Sequence, residues 1–202
     1  MDPIPVNLAV EDALSEAVLR RILQAYGGPW AIGTVYGRGG IGYLRKMITG
    51  FNRAARGIPF VVLADIDRAP CAPELLAEWL PHGAEPNMML RFAVREVEAW
   101  VISDAASLAD FLGVPQRLVP LDVEGIVNPK RELVNLARRS RRRGIVDDLV
   151  PKNGSTAVVG RNYNARIQDY IHRHWRPSRA RQISGSLDRA VSAIDGFVPA
   201  WA

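Results

Sequence analysis

Two aspartates, Asp65 and Asp67, stand directly after the most apolar run in the chain, Ile58–Ala64 (IPFVVLA). An uninterrupted run of this length predicts a strand buried on both faces, as in a parallel sheet. Side chains alternate along extended backbone, but where the strand ends the two carboxylates can splay around one cation. Mg²⁺ prefers oxygen ligands and commonly takes one or two carboxylates together with water and substrate phosphates. Glu11 follows a second predicted strand, Pro5–Val10, while Glu96 and Glu98 follow another, Asn87–Val94. Glu11 would complete a site with Asp65 and Asp67, and Glu96 or Glu98 could hold a second metal. Crowding like charges at successive strand ends is costly unless a cation neutralises them. A cation there could activate water or polarise a phosphoryl oxygen.

Each residue also has a plainer reading. An Asp-x-Asp pair arises often by chance. Glu11 could meet the dipole at a helix start, and Glu98 could lie on a solvated face or pair with Arg95.

These groups need a scaffold that brings strand ends together. After Pro5–Val10, the positions Leu14, Val18, Leu19, Ile22 and Leu23 recur at helical spacing to about Tyr26. Gly27-Gly28-Pro29 stops that helix. Trp30–Val35 reads as a strand, Gly37-Arg38-Gly39-Gly40 as a loop and Ile41–Ala55 as a helix. Pro73–Trp79, a helix beginning near Arg95, and Ala105–Leu112 continue the rhythm. Alternating strands and helices with short connections predict an α/β fold: a parallel sheet of about four strands flanked by helices. Ligands of such sheets bind beyond the carboxyl ends of the strands, where all five acidic residues fall. The expected organisation is an α/β core over 1–113 and a basic, mostly helical extension over 114–202, packed on that core. Pro129–Ser140, Tyr163–Trp175 and Gly185–Phe197 are its predicted helices. Trp79, Trp100 and Trp175 read as packing anchors.

Charge divides along the same line. Residues 1–128 carry a net −4 and residues 129–202 a net +9. Arg138, Arg139, Arg141, Arg142 and Arg143 fall within six positions, and Lys152 follows in the polar loop Lys152-Asn153-Gly154-Ser155-Thr156. Together with Arg38 and Lys46 they are candidates for holding a nucleic-acid backbone; solvated basic helices are the plainer reading. Ser155-Thr156 beside Lys152 could contact phosphate or simply form the loop. The loop Gly37–Gly40 lacks the Gly-Lys-Ser/Thr ending of a nucleotide-binding loop and reads as a turn.

Other chemistries lose support. Cys71 is the single cysteine and the three histidines lie far from the acidic motifs, which leaves no basis for a thiolate zinc site or a histidine triad. No apolar run approaches the roughly 20 residues of a membrane span. The start, MDPIPVNLAVED, lacks the features of a signal peptide, so a cytoplasmic location is expected.

The acidic motifs, VED-x-x-SE from Val10, DID from Asp65 and REVEAW from Arg95, resemble those of Toprim-fold proteins. More narrowly, they resemble the OLD-nuclease-like (DUF4276-type) group over about residues 5–113. The resemblance implies a parallel core and Mg²⁺ or Mn²⁺ held by Glu11, Asp65 and Asp67, with Glu98 or Glu96 as the further acidic position. Two positions depart from the pattern: Asp12 replaces the glycine that usually follows the glutamate, and Glu16 stands one residue beyond the family's second acidic position. The implied activity is a metal-dependent nuclease with Glu11, Asp65, Asp67 and Glu98 as its catalytic residues. The alternatives are a non-catalytic partner or regulatory subunit of an ATPase and a simple nucleic-acid-binding module. A homodimer is compatible with the chain's size.

Overall fold

A computed structural model describes residues 3–26, 28–37, 39–66 and 72–201. Gly27, Arg38, Asp67 and Cys71, singled out above, lie outside the described residues.

Four strands form one sheet: β1 (Ile4–Val10), β2 (Trp30–Tyr36), β3 (Phe60–Asp65) and β4 (Met88–Ala93). Their order is β2-β1-β3-β4 and every neighbouring pair is parallel. The chain leaves β1 for β2 on one side, then crosses to β3 and β4 on the other. The direction of winding therefore reverses between β1 and β3, the place where open parallel sheets form a ligand crevice.

The strands are apolar on both faces because helices cover both. On one face Ala9, Phe60, Val62, Ala64, Leu90 and Phe92 pack against α2 (Gly40–Ala54) and α3 (Ala72–Trp79). On the other, Val6, Leu8, Val10, Val61 and Leu63 meet α1 (Ala13–Ala25) and share one apolar cluster with most of the later helices. Those are α4 (Val97–Ile102), α5 (Ala105–Leu112), α6 (Pro129–Arg138), α7 (Arg143–Leu149), α8 (Tyr163–Arg173), α9 (Pro177–Ala180) and α10 (Gly185–Asp195). The expected α/β architecture, a four-stranded parallel sheet flanked by helices, is the architecture found.

Helices from residues 129–195 share one apolar cluster with the sheet. Trp100 and Trp175 are fully buried together, and the Trp175 indole donates to the Trp100 carbonyl at 3.1 Å. The Trp100 indole in turn donates to Ser186 Oγ at 2.8 Å, which ties α4 to α10. Buried indole N–H groups need such partners. The two short α-helices α7 and α9 go beyond the sequence pattern. Between Arg138 and Arg143 the apolar period is hidden by arginines, yet Ile145 and Leu149 bury one side of α7. The four-residue α9 starts with Pro177 at its first turn, where a missing N–H costs nothing.

Candidate functional site

The ends of β1 and β3 lie side by side where the winding reverses. Glu11 follows β1, and one of its carboxylate oxygens accepts the backbone N–H of Asp65 at 2.7 Å. Asp65 is the last residue of β3, and its Oδ1 accepts the backbone N–H of Val97 at 2.9 Å. One chain of hydrogen bonds thus links the ends of β1 and β3 to the start of α4. Glu11 does not cap α1: Asp12 does, accepting the N–H groups of Leu14 and Ser15 at 3.0 and 2.8 Å. A carboxylate at Asp12 therefore has a structural task that glycine could not perform. Glu16 pairs with Arg20 one turn along α1 at 2.8 Å.

The glycine-rich loop closes over the same end of β1. The Gly40 N–H donates to the Glu11 carbonyl at 3.2 Å. A Cβ at Gly37 would stand 2.8 Å from a Val10 methyl, so only glycine lets the loop approach this closely.

Beyond β4, Glu96 and Glu98 separate. Glu96 occupies the N-cap position of α4 without capping it, and its Oε2 accepts the Lys130 backbone N–H at 3.0 Å. Glu98 points into the protein and is only 1% exposed. Its ion pair is with Lys130 rather than Arg95: Lys130 Nζ lies 3.3 Å from Glu98 Oε1. The Tyr163 hydroxyl donates to the same oxygen at 3.4 Å. Glu98 is therefore neither solvated nor paired along its own helix. Lys130 was missed because it lies 32 positions from Glu98 in the chain and sits in a segment that reads simply as basic.

Electrostatics reflects this crowding. Burial pushes the Asp65 carboxyl well above the usual carboxylate range; the charges of Glu98, Glu11 and Asp12 push the same way, against the Val97 amide. Burial also raises Glu98 to about 7, with Lys130 opposing and Glu96 and Asp12 adding to the rise. Lys130 is lifted above its ordinary value despite desolvation, because Glu98 and Glu96 hold its proton. Burial, then Glu98, raises the Tyr163 hydroxyl well above the normal phenol range.

Oxygen donors of this type suit Mg²⁺ or Mn²⁺. Among the described residues, no three His, Cys, Asp or Glu side chains are grouped as a cation site; Asp67 lies outside that set.

The basic residues scatter more widely. Lys46 is exposed on α2. Arg138 and Lys152 border one groove together with Arg131, a residue the basic run did not single out. Arg139 and Arg141 are exposed. Arg142 is used structurally, donating to the Phe111 carbonyl at 3.1 Å and approaching Asp110 at 3.6 Å. Arg143 faces Asp147 one turn along α7 at 3.8 Å. No helix among the described residues is long and apolar enough to cross a membrane.

No protein-family model matches the chain, and no curated protein sequence matches it. Among solved structures it is similar to the C-terminal region of the Burkholderia pseudomallei OLD protein. The two are 14% identical with a TM-score of 0.46, over 94% of this chain and 98% of that one.

Proposed function

We propose that the chain is a Toprim-type nuclease that hydrolyses phosphodiester bonds with Mg²⁺ or Mn²⁺. One observation carries the reading: carboxylates from separate strand ends converge at the winding reversal, where burial first, and then repulsion by Glu98, Glu11 and Asp12, raises Asp65. A divalent cation would turn that repulsion into attraction, and the donor set is of the hard-oxygen kind it selects.

In this reading Glu11, Asp65 and Asp67 hold the cation, with Glu98 and Glu96 as the further acidic group. The bound cation would supply Lewis acidity toward a phosphoryl oxygen. The Val97 N–H holds the Asp65 carboxylate in place, and the Asp65 N–H holds Glu11. Glu11 serves as the base that takes a proton from the attacking water. Lys130, held by Glu98 and 38% exposed, supplies a fixed positive charge beside the substrate phosphate.

The test is cleavage of labelled DNA and RNA by the wild-type chain and by Asp65→Ala with Mg²⁺ or Mn²⁺. The reading requires cleavage that needs the metal and disappears in the folded variant. Undiminished metal-dependent cleavage by Asp65→Ala would sink it.

The Lys130–Glu98 pair favours a second reading. A cation supplied by the chain neutralises Glu98 without metal, as suits a non-catalytic partner or regulatory subunit of an ATPase. Magnesium that raises the thermal midpoint, with cleavage absent unless an ATPase is added, would favour it.

A further inference from the structure

The groove between α6 and the loop 151–158 has an unusual lining. Arg131 and Arg138 project from α6 seven positions apart, two turns on one face, and Lys152 faces them from the loop. No carboxylate belongs to the lining, and none of the three cations pairs with one among the described residues. Arg166 and Arg173, by contrast, pair with Asp148 and Asp169. Three cations left facing one concave space create a potential that attracts a polyanion.

The floor is different in kind. Val134, Pro151 and Val158 supply apolar surface between the charged edges, and no aromatic ring contributes. The cavity measures about 380 Å³, at the small end of the roughly 300–1,000 Å³ range of ligand clefts. That is room for about one nucleotide at a time. The loop that forms its outer wall is held by its own bonds: the Ser155 N–H donates to the Lys152 carbonyl at 3.0 Å, and Ser155 Oγ accepts from the Ala157 N–H at 3.1 Å. Gly154, at φ +78°, makes that turn possible.

The position of the groove gives it a direction. Lys130 touches both Glu96 and Glu98, and Arg131 is the next residue. Arg138 lies about 10 Å further along the helix axis. One rigid helix therefore joins the carboxylates to the cations.

We propose that this groove holds a single strand of nucleic acid by its phosphates, on Arg131, Arg138 and Lys152, and leads it along α6 toward the carboxylate crevice. The direction of travel rests on the nuclease reading; the binding does not. Without an aromatic platform the grip lacks base stacking, so affinity depends little on base identity and steeply on salt.

The experiment measures binding of a fluorescein-labelled single-stranded oligonucleotide of about 12 nucleotides to the full chain in EDTA, across a salt series. The Arg131→Ala/Arg138→Ala variant is expected to bind at least about tenfold more weakly. Its log-log salt slope should fall by about 1.4, from two lost phosphate contacts at roughly 0.7 each. Lys152→Ala, outside the helix, should weaken binding in the same direction, while Arg20→Ala and Arg173→Ala, which pair with Glu16 and Asp169 elsewhere on the surface, should change it less than about twofold. Folding of each variant is checked by circular dichroism. Wild-type affinity and slope in the folded double variant would overturn the proposal, as would equal competition by a blunt duplex. Because EDTA prevents metal-dependent cleavage, the two readings fail separately. A wild-type chain inert with Mn²⁺ overturns the nuclease and leaves the groove. Cleavage together with unaltered binding by the double variant does the reverse.

Discussion

Lys130 Nζ stands 3.3 Å from Glu98 Oε1, joining the second residue of α6 to the second residue of α4. Pro129 opens α6 at a position where its missing N–H is harmless, and Asn128 caps the helix by accepting the Arg131 N–H at 2.8 Å. These local choices aim Lys130 back at the acidic crevice. Glu98 is buried but Lys130 is 38% exposed, so losing Lys130 leaves a buried carboxylate short of its partner at a cost reduced by solvent screening. Lys130→Met should therefore cost about 1 kcal/mol in the metal-free chain, and Lys130→Met/Glu98→Gln should recover most of it. Denaturant unfolding of the four chains in EDTA measures the coupling; additive effects would show that the pair does not act as a unit.

Glu98 also predicts a pH dependence. Its folded value of about 7 exceeds the ordinary 4.5, so the folded state binds the proton more tightly than the unfolded chain. The resulting stability is complete below about pH 4.5, declines as pH rises and is lost above about 7. Thermal midpoints in EDTA should therefore fall between pH 5 and 7.5 by more in the wild type than in Glu98→Gln. Parallel curves would contradict the assignment.

Asp65→Asn addresses the crowding. The amide oxygen can still accept the Val97 N–H, while the buried charge and its repulsion by Glu98, Glu11 and Asp12 are removed. Without metal the variant should melt at or above the wild-type temperature, by up to about 1 kcal/mol of stability. The stabilisation that Mg²⁺ gives the wild type should vanish. A variant that melts lower and still responds to Mg²⁺ would reverse both halves.

Much of this layout was legible because strands buried on both faces announce themselves. Ile58–Ala64 marked β3 to within two residues at its start and one at its end, and the apolar period of α1 was plain. That Glu11 and Asp65 share one edge follows from parallel strands releasing their ends on the same side; that they are neighbours depends on β1 pairing with β3 rather than only with β2, which chain order does not encode. The arginine run was less transparent. A string of arginines looks uniform in sequence, yet Arg142 braces the end of α5 while Arg138 borders a groove with Arg131. The Lys130–Glu98 contact depends on how α6 crosses α4, and no periodicity encodes a crossing.

The way the later helices enter the core makes a further prediction. Trp100, Val101, Leu108 and Leu112 are buried within a cluster completed by Leu133, Ile167, Tyr170, Trp175 and Leu187. A fragment ending at Gly113 would expose that surface and should aggregate or lack a cooperative melt. A soluble fragment with a sharp thermal transition would show that the sheet and its first helices are self-sufficient.

The most direct test of the metal-site claim is a crystal of the chain soaked in Mn²⁺ and measured for anomalous scattering. The account predicts a peak bonded to carboxylate oxygens of Glu11, Asp65 and Asp67. Manganese bound only elsewhere, with no peak beside Glu11 and Asp65, would contradict it.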